Sequence, residues 1–194
     1  YFVIGLPGED ESVLQAIADL GYKLIDAAKA LGQNKFKVTL SCSILVPKPH
    51  TPFQWLRQIS RVEAEAKINF FKKLVKHKQL EVRWHEPQMA EIEGFLTRGD
   101  RRMGAVLLKA FELGCRMDAW QEHIKFDSWL VALKQLDWTP EVCMRARDID
   151  EILPWQWLDV GVPQQYLKKE YNRTLQMVAT SEEEMAKEAN SIWV

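Results

Sequence analysis

Residues 1–12, YFVIGLPGEDES, decide the fold because they place a strand, a tight turn and a helix start in direct succession. The first residues are apolar at every position, which is typical of a parallel strand covered by helices on its sheet. The acids that follow the turn, with Ser12, favour the start of a helix. Apolar residues then recur at three- and four-residue steps, which predicts one buried helix face ending near Gly32. That face comprises Val13, Ile17, Leu20, Leu24, Ala28 and Leu31.

Two further strands alternate with a second helix. Residues 36–46 alternate between apolar and polar side chains, and Pro47 then ends the predicted strand. Residues 60–78 return to a helical pattern, with Val62, Ala66, Phe70 and Leu74 on one face, and residues 80–85 alternate again. The order strand, helix, strand, helix, strand predicts an α/β fold with a parallel sheet and right-handed crossovers.

The second half of the chain has a different, mainly helical pattern. A helix is expected to start near Asp100 and stop at Gly114, with Met103, Val106, Leu107, Ala110 and Phe111 as its buried stripe. Further helices are predicted with Asp127 as a cap, over residues 163–178 after Pro163, and at Ser181, where Ser181 and Glu184 form a capping-box pattern. Residues 139–162 are rich in Trp and Pro and read as irregular. These patterns divide the chain into residues 1–95 and a helical extension, 96–194.

Composition excludes several classes of protein. The 194 residues carry a net charge of −1, so no global field attracts nucleic acid or an anionic membrane. The apolar runs are too short to span a membrane, and a cytoplasmic location is expected. Cys42, Cys115 and Cys143 form no CxxC pair, which predicts buried free thiols rather than disulfides or a metal site. The eight tryptophans are predicted to be mostly large core anchors.

Several long motifs, in order, carry a resemblance to a known family. They are YFVIGLPGEDES, VTLSCSILVPKPHTPFQW, EIEGFLTRGDRRMG, GCRMDAW and ILPWQWLDVGV. Over about residues 1–170 the chain resembles the carboxyl half of radical S-adenosylmethionine (SAM) proteins that carry an upstream cobalamin-binding domain. It is most similar to the subgroup marked by PKPHTPFQW and RGDRR. The tail SEEEMAKEANSIWV departs from the family, which usually ends in a short segment containing cysteine.

The resemblance implies a partial (β/α) barrel of roughly six strands, in which Tyr1 begins about the fourth. It also implies an upstream CxxxCxxC loop for a [4Fe–4S] cluster, whose open iron takes the amino and carboxyl groups of SAM. This chain has no such loop, so it is expected to be inactive by itself and to need the missing amino-terminal half of the same protein. A cobalamin site would lie in the upstream domain.

Cofactor contacts are implied at the ends of the first two strands. In relatives the first of these segments lies along SAM, and the alternative is a purely structural turn. Ser41 and Ser43 face away from the apolar row of the second strand. If that face points into the barrel, their hydroxyls contact the cofactor ribose or the substrate, and otherwise they face helices or an edge. The cofactor-binding candidates are Gly5, Leu6, Pro7, Gly8, Glu9, Ser41 and Ser43.

Candidate catalytic residues follow the carboxyl ends of the second and third strands, where barrel enzymes carry out their chemistry. His50 is held in a proline-rich loop and is predicted to position substrate or exchange protons, with Lys48 as a substrate or anion contact. His85 and Glu86 supply an imidazole and a carboxylate that can act as base and orienter. Neighbours in an extended strand point opposite ways, however, so these two side chains need not meet.

Arginines are densest in the motif RGDRR. Arg98, Arg101 and Arg102 are predicted to bind a phosphate, a carboxylate or an RNA backbone. The alternative is that Asp100 caps the following helix and pairs with one of these arginines. Neither reading requires a metal ion bound to this chain.

Three functions remain open at this point. The first is a radical SAM enzyme, in which a parent protein cleaves SAM reductively and uses cobalamin for methyl transfer or rearrangement. The second is a relative that transfers methylthio or methyl groups to RNA or protein, against which the near-neutral charge and the lack of a basic, aromatic appendage argue. The third is a non-catalytic interaction scaffold derived from the same barrel. The sequence does not identify a substrate.

Overall fold

The computed structural model describes the backbone of residues 1–191 and the side chains of residues 1–180. Three strands come from the first half of the chain, and helices follow to the end of the described part. In chain order the elements are β1 Phe2–Ile4, α1 Glu11–Ala30, β2 Val38–Ile44, α2 Arg61–Leu74, β3 Leu80–Trp84, α3 Pro87–Arg98, α4 Met103–Glu112, α5 Phe126–Leu133, α6 Pro140–Met144 and α7 Gln164–Ser191. Short 3₁₀ helices cover Pro52–Trp55, Gln121–His123 and Lys134–Leu136.

The described sheet has three parallel strands in the order β1-β2-β3. Cys42 of the central strand β2 fixes the register of all three strands, because it lies opposite Phe2 of β1 and opposite Trp84 of β3. Because α1 and α2 connect the strands, this confirms the predicted α/β fold with a parallel sheet. Strand β2 is shorter than predicted, because the ladder covers only Val38–Ile44. These three strands do not by themselves define a barrel.

Helices cover one face of the sheet and leave the other face open. Leu40, Cys42 and Ile44 of β2 are buried and belong to the same core as Leu14 of α1 and Ile68 of α2. The alternate β2 positions Thr39, Ser41 and Ser43 are exposed or half-exposed. The open face therefore carries the polar row of β2.

Both long helices of the first half present a different face to the sheet than predicted. In α1 the buried residues are Leu14, Ala18, Gly21, Ile25 and Ala28, of which the prediction shared only the last. Val13, Leu20 and Leu24 are 42–45% exposed. Small residues explain the difference, because they let the helix approach the sheet closely: a Cβ on Gly21 would lie 2.8 Å from Leu80 Cδ1. In α2 the buried residues are Ala64, Ile68 and Phe71.

The second core is helical and is shared by α3 to α6. It contains Ile92 and Phe95 of α3, whereas Ala90 of the same helix belongs to the sheet core. The predicted boundary at residues 95/96 thus falls inside a continuous helix that contributes to both cores. Trp129 anchors this second core, as predicted, but Trp120 is 62% exposed. Trp193 lies outside the described residues.

Several predictions for the helical half were wrong in detail. Helix α3 was not predicted, and Asp127 is not a cap because α5 begins at Phe126 without a side-chain cap. In α4, Leu107 and Phe111 are about half exposed, so its buried stripe is Met103, Val106 and Ala110. Helix α7 begins directly after Pro163 as predicted, but it runs through Ser181 without a break. The predicted capping-box side chains of Ser181 and Glu184 lie outside the described residues.

No helix in the described residues has both the length and the apolar character needed to cross a membrane.

Candidate functional site

The candidate site is the carboxyl edge and open face of the parallel sheet. Two hydrogen bonds extend the ladder past the strands, from Leu45 N to Ile4 O at 2.8 Å and from His85 N to Cys42 O at 2.9 Å. They align the segments that follow the three strands along one edge. Loops at this edge are where parallel α/β folds place their ligands.

The open face brings together three of the predicted site residues. Ser41, Ser43 and His85 line a shallow cavity of about 300 Å³, together with Tyr1 and Arg83. The Ser43 hydroxyl donates to the carbonyl oxygen of Phe2 at 3.3 Å. These hydroxyls lie on the face opposite α1 and α2, so they do not face those helices, and their contact with a cofactor or substrate stays a prediction. We call this the sheet-face cavity.

His85 and Glu86 do not form the base–orienter pair. Among the described side chains, no hydrogen bond joins them. Glu86 stands at the N-cap of α3, and its side chain makes no capping bond. His85 therefore faces the sheet-face cavity without the carboxylate that was considered as its partner.

The turn after β1 is organised by its own glutamate. Oε2 of Glu9 accepts from the backbone N–H of Gly5 at 2.7 Å and of Leu6 at 3.4 Å, and Oε1 lies 2.8 Å from Lys67 Nζ. Gly8 has a φ of +72°, and a Cβ there would lie 2.6 Å from Val178 Cγ1 of α7. These contacts give the turn after β1 a structural role. Contact of Gly5–Glu9 with a cofactor stays a prediction.

The two candidate residues in the loop after β2, Lys48 and His50, have different surroundings. Lys48 forms an ion pair with Glu93 of α3. His50 has a φ of +57°, and its backbone N–H donates to Gln54 Oε1 at 3.1 Å. Its side chain lines a second cavity with Trp155, whereas His85 lines the sheet-face cavity. The two predicted catalytic histidines therefore line different cavities.

Arg98 is fully buried and holds the loop to the second core. Its guanidinium donates to the carbonyl oxygens of Cys143, Pro47, Gln54, Leu56 and Arg145, at 2.8 to 3.4 Å. These bonds use all five N–H groups of the side chain, so none is left for an external anion in this structure. Burial lowers the pKa of Arg98 to about 10, which still leaves it charged at neutral pH.

The rest of the arginine cluster is partly neutralised. Asp100 accepts from the backbone and side chain of Arg102, at 2.7 to 3.0 Å, and this lowers the pKa of Asp100. The Arg102 guanidinium also lies 4.6 Å from the centre of the Trp138 ring. Arg101 is exposed and has no ion pair within the described residues. Of the three arginines predicted to bind an anion, Arg101 is therefore the one that stays a candidate.

Sequence reasoning missed a second charged group beside Arg98. Glu151 pairs with Arg145 at 2.6 Å and with Arg147 at 3.0 Å, and Arg147 donates to the carbonyl oxygen of Arg98 at 2.7 Å. The spacing of RARDIDE was the available signal, since it places two arginines four and six residues before a glutamate. Hydrogen bonds from Arg145, with the charges of both arginines, hold the pKa of Glu151 at about 2.

We expect Glu151→Gln to lower the free energy of unfolding at pH 7 by about 1–2 kcal/mol. The neutral amide replaces the charged carboxylate that accepts hydrogen bonds from Arg145 and Arg147. The lowered pKa of Glu151 stabilises the fold above the usual value of 4.5, and this contribution is lost as the pH falls toward 2. The variant should therefore lose less stability than the wild type between pH 4.5 and 2, measured by urea unfolding at each pH. Glu122→Gln, at an exposed site, is the control, and equal pH profiles for the wild type and Glu151→Gln would contradict the assignment.

The described residues do not fit an iron–sulfur cluster. Cys42 lies in the sheet core, and Cys115 and Cys143 lie in the second core. All three are buried as predicted, and burial raises the pKa of Cys42 and of Cys143 to about 11. Within residues 1–180, no group of three His, Cys, Asp or Glu side chains is placed to hold a metal ion.

The fold and site define a mixed α/β protein with a small parallel sheet and a shallow cavity on its open face. The chain is 25% identical over 107 residues to an uncharacterized protein of Methanocaldococcus jannaschii. The matched stretch is 55% of this chain and 22% of that protein, so the chain spans about a fifth of the length of this relative. No family model and no solved structure matches the chain.

Proposed function

We propose that this chain is the downstream wall of a radical SAM enzyme and presents the sheet-face cavity to SAM or to the substrate. The sequence motifs supply the resemblance. One observation carries the proposal: helices cover one face of a purely parallel sheet and leave Ser41, Ser43 and His85 on the other. In a (β/α) barrel the helices lie outside, so this open face corresponds to the interior.

The side chains of the cavity suit a polar ligand. Each serine hydroxyl can donate and accept a hydrogen bond, which suits a ribose or a carboxylate. The imidazole of His85 adds a group that can donate or accept a hydrogen bond. Arg101 and Lys48 do not line this cavity, and they stay separate candidate contacts for an anionic part of the substrate. Gly5–Glu9 follows β1 and remains the candidate segment for contact with SAM.

Reductive cleavage of SAM enters the proposal through the resemblance and belongs to the parent protein. The iron–sulfur ligands, and any cobalamin site, are assigned to its upstream part, and no step is assigned here to residues of this chain through either group. The scaffold and the RNA- or protein-modifying relative remain the alternatives. A cytoplasmic location stays a prediction, as does the absence of a nucleic-acid partner.

The decisive experiment begins with the DNA upstream of the Tyr1 codon. We expect an open reading frame that encodes CxxxCxxC and, before it, a cobalamin-type α/β domain. The encoded protein, reconstituted anaerobically with iron and sulfide, should produce 5′-deoxyadenosine from SAM when it is reduced. A frame without the cysteines would favour the scaffold. Salt-dependent retention of RNA by the parent protein would favour the nucleic-acid modifier.

Replacing both serines of the sheet-face cavity should weaken SAM binding. We expect Ser41→Val with Ser43→Val to lower the affinity of the reconstituted parent protein about tenfold or more, because two hydrogen-bonding groups are lost. Isothermal titration calorimetry without reductant measures the affinity apart from turnover. Thr39→Val is a matched control, since Thr39 is an exposed hydroxyl of β2 two residues before Ser41. An equal affinity for the double variant and the control would place SAM elsewhere.

A further inference from the structure

A second cavity, of about 270 Å³, lies between the loop after β2 and the segment that leads into α7. We call it the Trp155 cavity. Its walls include His50, Gln54, Trp155, Trp157, Asp159 and Leu167. The proposed function assigns nothing to this cavity, because the sheet-face cavity is lined by other residues.

His50, which lines this cavity, carries a hydrogen-bonding atom without a partner in the described part of the chain. Its Nε2 is buried and has no hydrogen-bond partner within the described residues. A buried polar atom without a partner costs free energy, and a left-handed φ at a residue other than glycine adds strain. Gln54 Oε1 holds this conformation by accepting from His50 N and, at 2.7 Å, from Trp155 Nε1. A buried polar atom without a partner calls for a specific explanation in a folded protein, and a bound ligand is the explanation that we pursue for His50.

The other walls define the shape and charge of that ligand. Trp155 and Leu167 are buried and apolar, while Trp157 is 80% exposed and its Nε1 donates to Pro154 O at 3.0 Å. A flat ring can lie against such indole side chains. Among the lining residues Asp159 is the one formal charge, and its Oδ1 accepts from Gly161 N at 2.8 Å. A negative site without a lysine or arginine disfavours phosphates and carboxylates.

We propose that the Trp155 cavity binds a small uncharged nitrogen heterocycle of nucleobase size. Its ring lies against the tryptophan side chains, and one ring nitrogen or N–H forms a hydrogen bond with His50 Nε2. This site is separate from the sheet-face cavity and does not depend on the radical chemistry proposed above. Binding can therefore be measured without iron, sulfide or SAM.

The test is calorimetric titration of the 194-residue chain with adenine, cytosine, uracil and nicotinamide in turn. We expect saturable binding of at least one probe, with quenching of tryptophan fluorescence. His50→Gly should weaken binding at least tenfold without lowering the melting temperature, since glycine adopts the required φ without strain. Trp157→Ala should also weaken binding, because the variant removes an exposed wall and leaves the core intact. His123→Gln, at an exposed histidine outside the cavity, should bind as the wild type does.

Three results would overturn the proposal. The first is no saturable binding of any of the four probes by the folded chain. The second is binding that His50→Gly and Trp157→Ala leave unchanged. The third is displacement of the bound probe by excess SAM, which would make the Trp155 cavity part of the cofactor site. If adenine binds, adenosine monophosphate should bind more weakly, because its phosphate would approach Asp159.

Discussion

Replacing Arg98 with methionine is expected to lower the free energy of unfolding by about 3–5 kcal/mol, because five buried carbonyl oxygens lose their donors together. The guanidinium is 0% exposed, and its acceptors come from two separate segments, the loop after β2 and the end of α6. Methionine keeps much of the side-chain volume, so the loss reports the hydrogen bonds rather than a large cavity. Urea unfolding followed by circular dichroism gives the measurement.

Arg98→Lys should recover only a minor part of this loss. An ammonium group has three donors on a single nitrogen and cannot reach five acceptors arranged around a planar fork. Arg101→Ala, at an exposed arginine of the same motif, is the control and should change stability by no more than about 0.5 kcal/mol. A loss below about 1 kcal/mol for Arg98→Met would show that water or a rearranged loop satisfies the carbonyls.

Trp55→Ala is the second substitution with a large expected effect, a loss of about 3–5 kcal/mol in the free energy of unfolding. Trp55 is 0% exposed and packs in a third core with Leu153, Trp155 and Leu167. Its ring also lies against that of Tyr171 in α7, at 5.4 Å between centres. The substitution should detach the segment before α7 from the loop after β2, and hydrogen exchange of that segment should rise.

Trp120→Ala provides the comparison for Trp55→Ala, because the Trp120 side chain is mostly exposed. Its effect on the free energy of unfolding should stay within about 0.5 kcal/mol. Trp55→Phe should fall between the two, since a smaller ring keeps part of the packing. Equal losses for Trp55→Ala and Trp120→Ala would mean that the third core contributes little to stability.

The parallel sheet could be predicted from the sequence because strand alternation and helical periodicity are local patterns. The faces of α1 and α2 could not, since both helices carry two apolar rows and the choice depends on how closely each row approaches the sheet. Ala18 and Gly21 decide it for α1, because small side chains permit contact with the sheet. The apolar positions were therefore recognised, but mostly the wrong row was assigned to the core.

The candidate site was predictable in position and less so in composition. Strand alternation singled out Ser41 and Ser43, and position at the end of β3 singled out His85. The structure places all three on one cavity, and their role in binding or catalysis stays a prediction. The role of Arg98 could not be predicted, because the carbonyl oxygens that accept its hydrogen bonds lie 42 to 51 residues away in the sequence. They are backbone atoms, so the pattern of charged side chains does not indicate them. Glu151 was missed because residues 139–162 were predicted to be irregular. That prediction was itself wrong for Pro140–Met144, which form α6.

The five bonds of Arg98 also bear on how this sequence can change over time. PKPHTPFQW and RGDRR look like two separate motifs, yet the side chain of one is bonded to the backbone of the other through Pro47 and Gln54. An insertion in the loop would move the carbonyls away from a rigid planar group, whatever residues the insertion contained. In related sequences, loop length and the identity of position 98 should therefore vary together, so that the two motifs are inherited as a single unit.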